Sequence, residues 1–223
     1  MTETKNSDAP ITLVLIHRVL SRGLEMGIRY TEEFAREGYP DRVTGVGLAL
    51  YLRTLAGTLH IHHSAEDEVA FPLLRERFPE LSLDILIAEH AQMAAILEEM
   101  APAVDRLQGE AGEGTALFAV HGALAKLAEI WPRHIDVEET DFSVKRLGSV
   151  LSAEELASWL QEMGQHRPEG ALPDPVVLPF ILYNLPAEDR AIMAQHMPPV
   201  VSQELVPVVW KEHWAPMRPF LLE

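Results

Sequence analysis

Two segments of this sequence pair a histidine with a glutamate four residues later, at His62 and Glu66 and again at His134 and Glu138. Residues four apart lie on one face of an α-helix, so the two side chains of each pair point toward the same place. Both pairs fall on stripes that are otherwise apolar, which predicts that they are buried. Buried imidazole and carboxylate groups are costly unless a cation or a network of hydrogen bonds compensates them. The pairs therefore favour a metal site between helices, with a purely hydrogen-bonded core as the alternative.

Helical spacing of apolar residues runs through most of the first 147 residues, and breakers interrupt it at regular intervals. The first helix is predicted from Ile11 to Arg36, because glycine and proline follow at positions 38 and 40. Asp41 has the side chain of a good N-cap for the second helix. Pro72 is expected to bend this second helix just beyond the histidine and glutamate pair.

The third helix carries His90 on its apolar stripe, and a glycine-rich stretch at 109–114 separates it from the fourth helix. In an antiparallel bundle, residues equally far from a connecting loop lie at equal height. One histidine of each helix meets this condition, at 22 and 23 residues on either side of Tyr39 and at 22 residues on both sides of Gly112. Four helices are thus expected to bring six side chains to one layer of the core: His17, His62, Glu66, His90, His134 and Glu138.

The composition limits the chemistry and the partners of such a protein. Cysteine is absent, which excludes disulfides, thiolate nucleophiles and iron–sulfur clusters, so a metal must be bound by nitrogen and oxygen. The formal net charge of −16, without a block of lysine or arginine, disfavours nucleic acid and anionic membrane surfaces as partners. No secretory signal and no apolar run long enough to span a bilayer is recognisable. We therefore expect a cytoplasmic protein with a small-molecule ligand.

The strings HHSAEDEVAFP and HIDVEETDF, which begin at His62 and His134, resemble segments of the hemerythrin-like HHE cation-binding family. The resemblance extends over roughly Ile11 to Leu147. It implies an all-α, up-down-up-down four-helix bundle that holds two iron ions, bridged by two carboxylates and an oxygen atom. The bridging carboxylates would be Glu66 and Glu138, and the terminal imidazole ligands would be His17, His62, His90 and His134. The same ligand types also accept other divalent metals.

One further ligand is expected beside these six. If both ions are six-coordinate, the six residues and a bridging oxygen leave two positions open. His63 lies three residues before Glu66, so its ring can reach the second ion and leave one position for an external ligand. Oxygen-carrying hemerythrins have a second histidine on the third helix, where this sequence has Ala94. That difference disfavours simple oxygen transport and favours the bacterial branch of the family.

The resemblance implies a non-haem di-iron protein that binds or reacts with oxygen, nitric oxide or hydrogen peroxide. Its expected setting is oxidative or nitrosative stress, or iron handling. As an enzyme, it would have peroxidase-like, catalase-like or nitric-oxide-reducing activity. The alternative is a non-enzymatic module that binds or senses oxygen or iron, and the residues do not decide between the two.

For the other polar side chains near the predicted layer, we expect roles other than direct metal binding. Asp67 and Glu139 are expected to orient ligand imidazoles or to face water, since carboxylates behind metal ligands often do the former. His60 is expected at the surface or behind the ligands. His121 lies three turns from the layer and is not expected to bind a metal.

Residues 149–223 form a predicted helical extension beyond a bundle domain of residues 1–148. Ser152 and Glu155 have the spacing of a capping box that starts a short helix, and 168–179 is interpreted as a proline-rich connector. Two apolar helices are predicted at about 187–196 and 203–213. Their apolar residues need burial, so the extension is expected to pack on the bundle or to form a homodimer interface.

Overall fold

The computed structural model describes residues 9–107 and 113–222. Within these ranges the chain is largely helical and contains no β-strand, which confirms the predicted all-α class. The bundle is built from α1 (Ile11–Glu37), α2 (Arg42–Ala65), α3 (Phe71–Arg77), α4 (Leu83–Arg106) and α5 (Glu113–Asp141).

The predicted boundary between the first two helices is confirmed. Helix α1 ends at Gly38, whose φ of 79° lies in the left-handed region that glycine adopts without a side-chain clash. Asp41 caps α2, since its carboxylate accepts a hydrogen bond of 2.8 Å from the backbone N–H of Thr44. The predicted break at 109–114 lies mostly outside the described residues.

A π-helical turn, Glu66–Ala70, interrupts the second bundle helix between α2 and α3. The backbone N–H of Phe71 bonds to the carbonyl of Glu66, five residues earlier. Pro72 follows in the first turn of α3 and has no N–H to donate. The irregular turn begins at Glu66 itself and ends two residues before Pro72, the residue at which the sequence predicts a bend. Such wide turns are frequent at functional sites.

The four long helices close into a bundle, because α1 contacts α2 and α5, and α4 contacts the same two helices. The interior is divided into two apolar clusters. Along α4, for example, Leu86 belongs to one cluster and Met93 to the other, and His90 lies between them. Along the second bundle helix, Leu59 and Phe71 belong to different clusters, with His62 and Glu66 between them, so the predicted polar layer lies between the two apolar clusters.

The rest of the chain forms α6 (Val144–Leu147), α7 (Ala153–Gln165), α8 (Asp174–Tyr183), α9 (Ala187–Gln195), a π-helical segment (Val201–Val209), α10 (Lys211–Trp214) and a 3-10 segment (Ala215–Phe220). The capping box of Ser152 and Glu155 is confirmed, with both of its hydrogen bonds present. The predicted connector at 168–179 was wrong in its second half, because α8 begins at Asp174. A proline in the first helical turn loses no hydrogen bond, so the prolines there start the helix and do not prevent it.

The extension packs against the bundle through apolar and polar contacts. Phe180 and Trp214 are buried in the same apolar cluster as residues of α1, α2 and α5. The side-chain oxygen of Asn184 accepts hydrogen bonds from the hydroxyl of Tyr51 at 2.7 Å and from the guanidinium of Arg22 at 2.6 Å. In the described part of the chain, no helix combines the length and the apolar character that crossing a membrane requires.

Candidate metal centre

All seven predicted ligand residues lie in one buried layer of the bundle, and none is more than 7% exposed. Helix α1 contributes one residue, α2 two, the π-helical turn one, α4 one and α5 two. They are His17, His62, His63, Glu66, His90, His134 and Glu138. Seven histidine and glutamate side chains are rarely buried together, because removing polar groups from water costs free energy. Their burial therefore requires compensating interactions.

The possible ligand atoms of these residues form two groups, and within each group the atoms lie within 4.8 Å of one another. The imidazole group consists of His63, His90 and His134, and the mixed group consists of His17, His62, Glu66 and Glu138. Nitrogen and carboxylate oxygen atoms in such clusters can hold divalent cations. The structure therefore contains two neighbouring groups that could each hold a metal ion.

Glu138 lies between the two groups. Its Oε1 atom is 3.0 Å from Nε2 of His134 and 3.4 Å from Nε2 of His90, both in the imidazole group. Its Oε2 atom is 3.2 Å from Nε2 of His17, in the mixed group. One carboxylate thus faces both groups with different oxygen atoms.

Glu66 is also close to both groups, although through a single oxygen atom. Its Oε2 atom lies 3.5 Å from Nε2 of His62 and 3.6 Å from Nε2 of His90. The π-helical turn begins at this residue, whose backbone N–H bonds to the carbonyl of His62 at the end of α2.

Many polar atoms of the layer are buried without a hydrogen bond. They are both carboxylate oxygens of Glu66 and of Glu138, and the Nε2 atoms of His17, His62 and His63. Most buried polar atoms in folded proteins have a hydrogen-bond partner, so seven exceptions in one layer need an explanation. The atoms are lone-pair donors that converge on the same space, which is the chemistry of a cation site.

Carboxylates contact the Nδ1 atoms of three of the histidines. The contacts are Nδ1 of His17 to Glu139 at 3.0 Å, Nδ1 of His90 to Asp67 at 2.9 Å, and Nδ1 of His134 to Glu89 at 3.0 Å. An ionised carboxylate only accepts hydrogen bonds, so each Nδ1 atom presents a proton to its carboxylate and Nε2 is the ring atom turned toward the core. The expectation that Asp67 and Glu139 orient imidazoles is confirmed.

Glu89 was missed by the sequence reasoning. It directly precedes His90 on α4, yet its carboxylate bonds to His134 on α5. The height of a residue along a bundle can be counted from the turns, whereas a contact across two helices depends on how each helix is rotated. The one available signal was an acidic residue beside a predicted ligand, a position that Asp67 and Glu139 share.

The two buried glutamates differ in their affinity for protons. Burial and the neighbouring charge of Glu138 raise the pKa of Glu66 well above its usual range. Burial also raises the pKa of Glu138, but the nearby imidazoles of His134, His17 and His90 outweigh it and hold that pKa well below its usual range. Without a cation, the pair thus consists of one protonated and one ionised carboxyl group.

The histidines divide in a similar way. Burial lowers the pKa of His62 and of His63, and neighbouring histidines lower it further, so both rings are neutral. Burial also lowers the pKa of His17, but the nearby carboxylates of Glu138 and Glu139 outweigh it and raise the pKa above its ordinary value. Neutral imidazoles are the form that binds metals.

Histidines outside the layer have other surroundings. His60 is exposed, as expected. Nδ1 of His121 lies 3.3 Å from the hydroxyl of Thr31, and Nε2 of His166 lies 2.9 Å from the hydroxyl of Ser64. None of these three belongs to either ligand group.

A family model described as the hemerythrin HHE cation binding domain matches residues 12–143. The matched interval is more than half of the 223-residue chain and contains both ligand groups. Comparisons with curated proteins and with solved structures gave no match.

Proposed function

This chain belongs to the hemerythrin HHE cation-binding family, and on that basis we propose that its bundle holds two iron ions in the buried layer. The position of Glu138 is the observation that carries the proposal. Its two oxygens face the imidazole group and the mixed group separately, at 3.0 and 3.2 Å from the nearest Nε2 atoms. A carboxylate between two groups of ligands suits two adjacent ions better than one.

In this proposal, one ion is bound by His63, His90 and His134, the other is bound by His17 and His62, and the two glutamates contact both. His63 takes the place of the histidine that the third bundle helix lacks at Ala94. Ala94 itself is exposed, so a side chain there would have to turn inward to reach the layer. The protein would thereby keep five imidazole ligands with a different distribution over its helices.

A di-iron centre supplies reversible binding and redox chemistry toward oxygen, nitric oxide or hydrogen peroxide. The protein residues determine the surroundings of that chemistry. Five imidazoles and two carboxylates make a ligand set richer in neutral nitrogen than in charged oxygen. The apolar clusters on both sides keep water out of the layer, which strengthens electrostatic interactions within it.

A small ligand has a short path to the layer. A cavity of about 350 Å³ lies beside α1 and α5, and its lining includes His17 and Glu139. His17 itself is 1% exposed, so the imidazole separates the cavity from the interior of the layer. This arrangement fits a molecule of a few atoms and disfavours a large organic substrate, in line with a role in stress protection or iron handling.

An experiment distinguishes whether the protein is an enzyme or a binding module. Iron-loaded protein is mixed with hydrogen peroxide, nitric oxide or oxygen, and both the optical spectrum and product formation are followed. Turnover of peroxide or nitric oxide would indicate an enzyme, whereas a reversible spectral change without turnover would indicate a binding module. Glu138→Gln should remove either response, and Glu98→Gln, at an exposed position on α4, should retain it. An iron-loaded protein that responds to none of the three ligands would contradict the proposal.

A further inference from the structure

We propose that three carboxylates next in sequence to ligand residues each hold the histidine of a neighbouring helix, and that they set the affinities of the two ions separately. We call Asp67, Glu89 and Glu139 the outer carboxylates. Each directly follows or precedes a residue of the two ligand groups. This inference rests on the proposed two-ion centre and adds positioning residues to it.

Two of the contacts converge on the imidazole group. Asp67, in the π-helical turn, lies 2.9 Å from Nδ1 of His90 on α4. Glu89, the residue before His90, lies 3.0 Å from Nδ1 of His134 on α5. Each carboxylate therefore contacts a histidine on a helix other than its own. His90, the neighbour of Glu89 in sequence, is contacted by Asp67.

The third contact belongs to the mixed group. Glu139 on α5 lies 3.0 Å from Nδ1 of His17 on α1. The three contacts thus proceed around the bundle, from the π-helical turn to α4, from α4 to α5, and from α5 to α1. Helices α4 and α5, and helices α5 and α1, also pack directly against each other. The orientation of three imidazoles is consequently tied to the packing of the bundle helices.

The outer carboxylates are distributed unevenly between the groups. The imidazole group contains no carboxylate of its own, yet two of its three histidines are held by outer carboxylates. The mixed group already contains Glu66 and Glu138 and receives one outer carboxylate. A hydrogen bond to a carboxylate makes an imidazole a stronger donor to a metal. Asp67 and Glu89 therefore add negative charge around the imidazole group, beyond the two glutamates that would contact both ions.

Glu89 is the best residue for a test, because its two contacts can be separated. Its Oε2 atom bonds to His134, while its Oε1 atom lies 3.5 Å from the guanidinium of Arg133. The side chain of Arg133 is 73% exposed. Glu89→Gln keeps the shape and removes the charge, and Arg133→Gln removes only the outer contact of Glu89.

The first measurement uses metal-free protein labelled with nitrogen-15 in histidine. In the unaltered protein we expect the nitrogen and attached-proton resonances at Nδ1 of His134 to show a proton shared with Glu89. Glu89→Gln should move these resonances and leave those of His17 in place, while Glu139→Gln should do the reverse. This readout needs no metal, so it tests the positioning contacts apart from the proposed function. Unchanged His134 resonances in Glu89→Gln would overturn the inference.

The second measurement is a titration with Co²⁺ in competition with a chelator, in which each variant gives two binding constants. Zn²⁺ titration of the labelled protein assigns each constant to His134 or to His17. Glu89→Gln should lower the affinity of the imidazole group for its ion by about 10- to 100-fold. Glu139→Gln should lower the affinity of the mixed group for the other ion by a similar factor. Arg133→Gln should bind both ions like the unaltered protein.

The possible failures are distinguishable. If the unaltered protein binds two ions but both glutamate variants bind them equally well, the inference is wrong and the two-ion centre stands. If each variant lowers the affinity for both ions equally, the carboxylates act through the whole fold. The inference that they set the two affinities separately is then also wrong. If the unaltered protein binds fewer than two ions, the proposed function fails first.

Discussion

The Nε2 atoms of His90 and His134 lie 3.1 Å apart in the core, and the Nδ1 atom of each ring faces a carboxylate. Because the carboxylates accept hydrogen bonds, each Nδ1 atom presents a proton to its carboxylate, and the two Nε2 atoms are turned toward the core. Two imidazole nitrogens at this distance repel each other unless a proton or a metal cation lies between or beside them. Oε1 of Glu138, 3.0 Å from one Nε2 and 3.4 Å from the other, adds to the need for a cation.

His63 should contribute to metal binding although a neighbouring histidine should not. Removing its ring in His63→Ala takes a ligand from the imidazole group. One of the two ions should therefore bind more weakly. The loss of affinity should exceed the factor of about 10 to 100 expected for loss of an outer carboxylate. His60→Ala, three residues earlier at an exposed position, should bind like the unaltered protein. Equal metal content and affinity in both variants would show that His63 is not a ligand.

Metal binding should release protons and should tighten as the pH rises. Burial and Glu138 raise the pKa of Glu66, and the contacts of His17 with Glu138 and Glu139 outweigh burial and raise its pKa too. Both groups therefore hold protons at a pH where ordinary carboxyl and imidazole groups have lost them, and a cation must displace these protons. The apparent affinity should fall as the pH decreases through the raised pKa values.

Calorimetric titration with Zn²⁺ in buffers of different ionisation enthalpy counts the protons released near pH 7. Glu66→Gln removes one of the protonated groups, so it should release fewer protons as well as bind more weakly. An affinity that is independent of pH, with no proton release, would contradict the prediction.

The contact of Asn184 with the bundle should stabilise the docked extension. Asn184→Ala leaves the buried hydroxyl of Tyr51 without its acceptor and removes a bond from Arg22, so it should cost about 2–3 kcal/mol of the free energy of unfolding. Tyr51→Phe removes one donor while Asn184 keeps the other, so it should cost about 1 kcal/mol. Urea unfolding measures both, and a larger loss in Tyr51→Phe than in Asn184→Ala would be unexpected.

Two glycines in bundle helices should respond in opposite ways to substitution by alanine. A Cβ atom at Gly47 would overlap the backbone carbonyl of Pro216 in the 3-10 segment, so Gly47→Ala should destabilise the protein by about 1–3 kcal/mol. A Cβ atom at Gly122 meets nothing within 4 Å, so Gly122→Ala should stabilise α5 by about 0.5–1 kcal/mol. Similar unfolding midpoints for the two variants would contradict the observed packing of the 3-10 segment on α2.

The height of the polar layer was predictable because local rules decide it. Gly38 and Asp41 mark a helix end and a helix start, and counting from the turns places residues such as His17 and His62 at one level. Periodicity also places His90 and Met93 together on the buried stripe of α4. These features depend on residues that are close in sequence.

Features that depend on contacts between helices were not predictable in the same way. The carboxylate of Glu89 reaches α5 because of the rotation of α4, which no spacing rule gives. The π-helical turn at Glu66 depends on how the backbone packs against its neighbours. The apolar cluster that joins Phe180 to the bundle could be expected from its hydropathy, but its location could not.

The central claim is that the buried layer holds two iron ions. The most direct test is the metal content per chain, measured together with the optical spectrum of protein purified in air. Close to two irons per chain, with the near-ultraviolet absorption of a bridged di-iron centre, is the predicted result. A folded protein that contains a single metal ion, zinc or no metal would contradict the claim and leave the layer as a structural or mononuclear site.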